Sequence, residues 1–134
     1  MPAGRRRTDV ELPPVAASVP ASRRFVTRQL ADWGLDDLVE EAELLVSELV
    51  TNALNHAGTP VKLAIDVDSR LTVCVTDERP DVLPVPLGAM VDPAAEGGRG
   101  LTLVALLSAD WGVRRHPDSK TVWFSLPVGC GSGG

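Results

Sequence analysis

The hydrophobic pattern of the chain changes its period at residues 58–60, and this change constrains the fold more than any other feature. Apolar residues recur at helical spacing over residues 38–57, whereas every second residue is apolar over residues 61–67 and again over 71–75. Glycine and proline separate the two patterns, as they do where a helix ends. This change of period therefore predicts a long helix followed by a β-hairpin. We expect an α+β fold, a two-layer sandwich in which about three helices cover one face of a mixed, mostly antiparallel sheet.

The composition is that of one soluble domain with a hydrophobic core. The 134 residues are 44% hydrophobic and 23% charged, which excludes a disordered chain. The net charge of −5 leaves no basic excess to neutralise phosphates, so we expect no direct binding of nucleic acid. No apolar run approaches the roughly 18 residues that a membrane span needs, so we expect no membrane contact. Cys74 and Cys130 are too few for a disulfide framework, which favours the cytoplasm.

The ends of the chain predict two flexible tails around one domain. Residues 1–13 are polar and contain prolines, and residues 129–134 are rich in glycine, so we expect both segments to be loose. The domain is predicted to span residues 14–128. It begins with a short edge strand near residues 14–20, where prolines are tolerated, and continues with a helix that Ser22 caps.

The second half of the chain contains a long irregular segment between predicted elements. Residues 78–99 hold four prolines and three glycines without sustained periodicity. Loops of this length inside a compact domain are mostly functional lids or disordered segments, and we expect a lid over a ligand site. An apolar helix is predicted over residues 100–111, and a second hairpin over residues 111–116 and 120–128 closes the domain.

The long helix carries polar residues at the border of its apolar face. Glu48 and Asn52 lie one turn apart and therefore side by side. A carboxylate held half-buried at such a border can accept a proton, and an amide oxygen is a hard ligand that suits Mg²⁺. The alternative is a solvated polar face, and His56 by default is a residue whose charged form suits the C-terminal helix dipole. The helix alone leaves both interpretations open.

A glycine-rich segment precedes the last predicted helix. Gly97, Gly98 and Gly100 leave backbone N–H groups free at the start of that helix, an arrangement that binds phosphate well. Arg99 adds a guanidinium that can grip a phosphate with two hydrogen bonds. A flexible linker is the alternative. The spacing fits neither a Walker loop, since no GK[ST] follows, nor a Rossmann fingerprint, since the βαβ context is missing.

A strand-end carboxylate completes the set of motifs. Asp77 ends the first hairpin, where it can accept a hydrogen bond from an exocyclic amine or simply start a turn before Pro80. In chain order, four motifs resemble those of the GHKL (Bergerat-fold) ATPase and kinase superfamily: ELVTNALNHA, VTDERP, EGGRGLTLV and KTVWFSL. The resemblance extends from Ala16 to Val128. Within the superfamily the chain is similar to the small bacterial serine kinases of the anti-sigma-factor type.

The resemblance implies a site for ATP and Mg²⁺ at the end of the long helix. Glu48 matches the general base that activates the hydroxyl of a target serine, and Asn52 matches the Mg²⁺ ligand that helps to hold the triphosphate. His56 falls on the histidine of the motif. The glycine box that cradles the phosphates matches the end of the lid, at Gly98, Arg99, Gly100 and Leu101.

The same resemblance implies an adenine pocket at the strand ends. Asp77 matches the carboxylate that binds the adenine amino group, and Thr121, on the closing hairpin, matches the threonine that supports adenine recognition. The chain departs from the family in the first glycine box, which typically runs Asp-x-Gly-x-Gly, whereas residues 77–81 read DERPD. Without glycine, the backbone beside the adenine bends less freely.

Three functions follow as expectations from the resemblance. The first is a serine protein kinase, dependent on ATP and Mg²⁺, that phosphorylates an anti-anti-sigma (STAS-like) partner and sequesters or releases a sigma factor. Such a kinase regulates transcription by partner switching, and homodimers are usual in this family. The second function, which the DERPD segment favours, is a regulator of the same fold that binds proteins without nucleotide. The third is a detached histidine-kinase catalytic domain, which the short chain and its closing TVWFSLP fit less well.

Overall fold

The computed structural model describes residues 6–81 and 110–128, which form a five-stranded sheet with two α-helices on one face. In chain order the elements are β1 (Arg6–Leu12), α1 (Ser18–Asp32), a 3-10 turn (Asp36–Leu38), α2 (Val39–His56), β2 (Val61–Val67), β3 (Arg70–Asp77), β4 (Asp110–Arg115) and β5 (Lys120–Pro127). Helix α2 packs directly on β2 and β3, and α1 packs on α2.

The strands lie in the order β1-β2-β3-β5-β4, and each neighbouring pair is antiparallel. The α+β class that the sequence predicted is confirmed. Two details differ from the prediction. The described strands form no parallel pair, and the described residues form two α-helices where about three were expected. Most of the helix predicted over residues 100–111 lies outside the described residues, and its last two positions, Asp110 and Trp111, belong to β4 instead.

The core lies between α2 and the inner face of the sheet. Buried side chains recur every three to four residues along α2 and at alternate positions along β3, which is why both periods are visible in the sequence. Fully burying one large apolar side chain contributes about 1.5–3 kcal/mol. Large buried apolar residues of this core include Leu30, Leu45, Leu49, Leu63, Ile65, Leu71, Phe124 and Leu126.

The N-terminal segment differs from the sequence-based prediction. Residues 6–12 form the edge strand β1, paired with β2 from Arg6 opposite Val67 to Leu12 opposite Val61, where a loose tail was predicted. The polar residues that suggested a tail are compatible with a strand at the edge of a sheet, because one face and one edge of such a strand meet solvent. Val10 and Leu12 alternate with Asp9 and Glu11, but this local pattern is short, and the pairing itself is non-local.

The start of α1 also differs from the prediction. The helix begins at Ser18, and the edge strand expected near residues 14–20 is absent, since that segment is a turn followed by the first turn of the helix. Pro20 is tolerated there because the first N–H groups of a helix have no partner inside the helix. Ser22 is no cap: it is buried within α1, and its hydroxyl donates to the Val19 carbonyl at 2.6 Å. Gly34, with φ of 73°, follows the helix as predicted.

The remaining elements agree with the prediction. Helix α2 covers nearly the predicted range, Gly58 follows it with φ of 68°, and both hairpins form. The predicted lid beyond residue 81, the residues 100–109 of the predicted last helix, and the tail 129–134 lie outside the described residues. Among the helices that the structure describes, none is long and apolar enough to cross a membrane.

Candidate functional site

A small cavity lies where the C-terminal half of α2 passes over the ends of β3 and β5. The space that the centre of a water-sized molecule can reach inside it is about 10 Å³, which is the room for about one water. Helix α2 forms one wall, and the two strands form the floor. The lining residues are Leu49, Asn52, Ala53, His56, Val75, Asp77, Lys120 and Val122.

Two periodicities bring these side chains together. The four residues from α2 stand at spacings of three, four and seven, so they share one face of the helix. In the sheet, Val75 lies opposite Val122 and Asp77 lies opposite Lys120. Because opposite residues of an antiparallel pair project to the same face, all four strand residues point towards α2. The floor of the cavity is therefore apolar at Val75 and Val122 and charged at Asp77 and Lys120, where β3 ends and β5 begins.

Asn52 presents an unpaired polar atom to this cavity. Its side-chain nitrogen Nδ2 is fully buried and has no hydrogen-bond partner among the described residues. A buried donor without a partner costs about 1–3 kcal/mol. Rotation of the amide by 180° exchanges nitrogen and oxygen, so the same position can present a carbonyl oxygen to a cation. An orphaned amide in a cavity is a feature expected of a ligand site.

Glu48 and His56 flank Asn52 by one helical turn on either side. Glu48 is half-buried and does not line the cavity, and its carboxylate makes no hydrogen bond with the described residues. His56 is exposed overall but contributes to the cavity lining. The helix thus places the carboxylate and the amide side by side along the border of its apolar face, as the sequence predicted, and the imidazole follows one turn later.

Asp77 and Lys120 form a buried ion pair at the floor of the cavity. The Lys120 ammonium Nζ lies 2.9 Å from Asp77 Oδ1 and 2.8 Å from Oδ2, and both side chains are 2% exposed. The same ammonium donates to the backbone carbonyl of Arg79 at 3.1 Å. Three oxygen partners satisfy an ammonium group, so the lysine is fully paired away from water. The sequence analysis missed Lys120.

Hydrogen bonds hold the DERPD segment, residues 77–81, which stands at the position of the first glycine box. The Arg79 backbone N–H donates to Asp77 Oδ1 at 2.9 Å, which closes a turn on the aspartate side chain. The Arg79 guanidinium donates to Asp81 at 3.2 and 3.1 Å, and this hydrogen bonding holds the pKa of Asp81 below its usual value. Arg115 of β4 donates to the Pro80 carbonyl at 3.2 Å. The segment is therefore tied to β4 and β5 through its backbone.

Thr121 does not join Asp77 in the structure. It lies opposite Thr76 in the register, and the two hydroxyl oxygens are 2.7 Å apart on the outer face of the sheet. The role that the resemblance implied for Thr121 therefore has no geometric support. Lys120 stands beside Asp77 in its place. The alternation of buried apolar residues along β5 was the available signal, since it puts Lys120 on the same face as Val122 and Phe124.

The phosphate-cradling segment cannot be compared with this geometry. Its four residues, Gly98, Arg99, Gly100 and Leu101, lie outside the described residues. Of the other residues predicted for the site, the structure brings Asn52, His56 and Asp77 into one cavity, and Glu48 lies outside its lining, one helical turn from Asn52.

Comparison with known proteins decides the family. The sequence model of the histidine kinase-like ATPase domain matches residues 12–126. The chain belongs to this family. No curated protein matches the ATPase domain in sequence. The resemblance to the GHKL superfamily is thereby confirmed.

The ATPase domain is also similar to a solved structure, the crystal structure of the RsbU and RsbW domains of Rv1364c from Mycobacterium tuberculosis. The two share 15% sequence identity and superpose with a TM-score of 0.69, over 92% of this chain and 32% of the other. At this identity the likeness shows the fold alone. The domain spans about a third of the length of that protein.

The cavity of the ATPase domain fits one end of a magnesium–nucleotide complex and not the other. At the Asn52 end, the buried and unpartnered amide suits a hard cation that carries a triphosphate. At the Asp77 end, the carboxylate already accepts hydrogen bonds from Lys120 and from the Arg79 backbone, and the space left holds about one water. A purine base therefore does not fit beside Asp77 while Lys120 keeps its position.

Proposed function

We propose that this ATPase domain is a serine protein kinase of the anti-sigma-factor type that uses ATP and Mg²⁺ in the cytoplasm. Its target is a STAS-like anti-anti-sigma partner, and the modification regulates transcription by partner switching with a sigma factor. The observation that carries the proposal is the buried, unpartnered amide of Asn52, one helical turn from the half-buried carboxylate of Glu48. A purely solvated helix face would expose the amide.

The proposed chemistry divides between a few side chains. Asn52 would hold the Mg²⁺ ion, which neutralises charge on the triphosphate as it transfers its terminal phosphoryl group. Glu48 has no hydrogen-bond partner among the described residues, so its carboxylate is free to accept the proton of a serine hydroxyl. His56 would border the phosphates. The segment Gly98–Leu101 would cradle them through backbone N–H groups.

The proposed partners rest on fold and family. The likeness to an RsbW domain supports a partner-switching role for this chain, in which the domain binds either a sigma factor or the anti-anti-sigma protein. A homodimer is the proposed assembly. The net charge of −5 argues for protein partners and against direct contact with DNA.

A transfer assay tests the kinase. The domain is incubated with Mg²⁺–ATP and candidate STAS-domain proteins, and phosphoserine is measured by mass spectrometry. We expect Glu48→Gln to abolish the phosphoserine, because the amide cannot accept the proton. The matched control is Glu41→Gln, an exposed residue in the first turn of the same helix. Transfer that is equal in both variants, or absent with every partner, would contradict the catalytic proposal.

A second candidate function is a regulator that binds the same partners without nucleotide. The buried Asp77–Lys120 pair favours it, because that pair fills the place where a base would bind. Calorimetry with Mg²⁺–ATP separates the two candidates. Binding that is lost in Asn52→Ala supports the kinase, and the absence of heat at millimolar nucleotide, together with a stable partner complex in gel filtration, supports the regulator.

A further inference from the structure

The buried lysine of the cavity has no part in the proposed catalysis. We propose that Lys120 controls the binding of adenine nucleotides to this domain: its ammonium occupies the Asp77 carboxylate that the exocyclic amine of adenine would otherwise use. A nucleotide then binds only by displacing that ammonium. This inference rests on the proposed nucleotide site and concerns the affinity of that site for adenine nucleotides.

The first argument is direct competition for the same acceptors. Both oxygens of Asp77 accept from Lys120 Nζ, at 2.9 and 2.8 Å, and Oδ1 also accepts from the Arg79 N–H at 2.9 Å. An exocyclic amine carries no charge, whereas the ammonium adds to its hydrogen bonds a Coulombic attraction to the carboxylate, which is stronger away from water. The amine is therefore the weaker competitor for the carboxylate.

The second argument is space. Lys120 is among the largest fully buried side chains of the described residues, and it lines the cavity together with Val75 and Val122. The room left beside these residues holds about one water. A purine ring cannot share this end of the cavity with the lysine side chain, so the two occupy it alternately.

The third argument links the lysine to the start of the predicted lid. The ammonium that holds Asp77 also holds the Arg79 carbonyl at 3.1 Å. When the ammonium leaves Asp77, it gives up this second contact, and the backbone after β3 loses one of its two ties to the closing hairpin, the other being the bond from Arg115 to Pro80. Nucleotide binding is thus coupled to the release of the Arg79 carbonyl from the closing hairpin.

Calorimetric titration of Mg²⁺–ADP into the whole chain tests the inference. We expect Lys120→Met and Lys120→Thr to bind ADP about tenfold or more tightly than the wild type, since the carboxylate is then free for the amine. The gain should be much smaller for inosine diphosphate, which lacks the exocyclic amine. Lys62→Met is the matched control, because Lys62 is an exposed lysine on the outer face of the sheet.

Folding of the variants is checked by circular dichroism, since loss of the lysine leaves a buried carboxylate. The shorter threonine admits water to Asp77, and the double variant Asp77→Asn/Lys120→Met carries no unpaired charge. The double variant should fold and show no gain in ADP affinity. ADP affinity in both single variants that equals or falls below that of the wild type overturns the inference alone. Absence of binding by every protein at millimolar ADP overturns the proposed nucleotide site as well.

Discussion

The ammonium of Lys120 lies 2.8 Å from Oδ2 of Asp77, at a point where both side chains are 2% exposed and their backbones are direct cross-strand partners. Removing two charges from water is expensive, so such a pair stabilises a protein only while both partners are present. The pair joins β3, the central strand of the sheet, to its neighbour β5. Loss of either partner should therefore destabilise the fold, apart from its effect on the proposed control of the site.

The first prediction concerns this pair. Asp77→Ala and Lys120→Met should each lower the free energy of unfolding by about 3–5 kcal/mol, because each leaves one buried charge unpaired. The double variant Asp77→Ala/Lys120→Met should lose less free energy of unfolding than the sum of the two single losses. Urea denaturation measures all three, with Lys62→Met as an exposed lysine for comparison. Additive losses would show that the two charges do not interact.

The second prediction separates stability from function at Asn52. Asn52→Ala should leave the free energy of unfolding unchanged or raise it by up to about 1 kcal/mol. The substitution removes an unpartnered buried donor and improves helix propensity. Magnesium-dependent nucleotide binding should fall in the same variant. Asn55→Ala is the matched control, since this exposed residue gains the same propensity without lining the cavity. A less stable Asn52→Ala protein would mean that the amide is structural.

The third prediction checks the placement of Thr121. Thr121→Val should leave the affinity for ADP unchanged, because its hydroxyl faces Thr76 on the outer side of the sheet. The free energy of unfolding should fall by about 0.5–1.5 kcal/mol, since the hydroxyl loses its hydrogen bond to Thr76 and its longer contact with His116. Calorimetry and urea denaturation measure the two quantities. Weaker ADP binding by a stable Thr121→Val protein would place the threonine in the nucleotide site after all.

The fourth prediction concerns the pH dependence of Cys74, which lies on the outer face of the sheet. Burial raises the pKa of its thiol above the ordinary value of 9.0, and the nearby Arg114 and Arg7 oppose this rise only in part. In a Cys130→Ser variant, the rate of alkylation by iodoacetamide should therefore rise with pH through a midpoint above 9.0.

The same shift links the thiol to stability. Because the folded state holds the proton more tightly than the unfolded state, the contribution of Cys74 is fully present below the unfolded pKa and is lost as the pH rises through the folded pKa. The protein with Cys74 should lose stability above pH 9.0 relative to a Cys74→Ala/Cys130→Ser double variant. Identical pH profiles of the two proteins in urea denaturation would count against the raised pKa.

The fifth prediction tests the N-terminal strand that sequence patterns missed. Leu12 is 7% exposed at the end of β1, so Leu12→Ala should lower the free energy of unfolding by about 2–5 kcal/mol. Val15, which follows the strand, is 49% exposed, and Val15→Ala should change stability by less than about 0.5 kcal/mol. Equal effects in urea denaturation would mean that β1 is not part of the cooperative fold.

Much of the candidate site could be predicted from the sequence because its parts are local. The adjacency of Glu48 and Asn52 follows from helical spacing alone, and the position of Asp77 at a strand end follows from alternation. The resemblance to known motifs then assigned a nucleotide to these parts. The role that the resemblance implies for Thr121 stays a prediction, and the structure places this residue opposite Thr76, on the face of the sheet that does not carry Asp77.

The sequence by itself determined the helix α2, the two hairpins and the residues that α2 presents at its border, since each depends on the period of neighbouring residues. Only the tertiary structure decided that residues 6–12 complete the sheet and that Lys120 meets Asp77 across a sequence separation of 43 residues. Strand pairing is non-local: the register that joins β3 to β5 is set by the burial of both inner faces against α2, and no stretch of sequence carries that information alone.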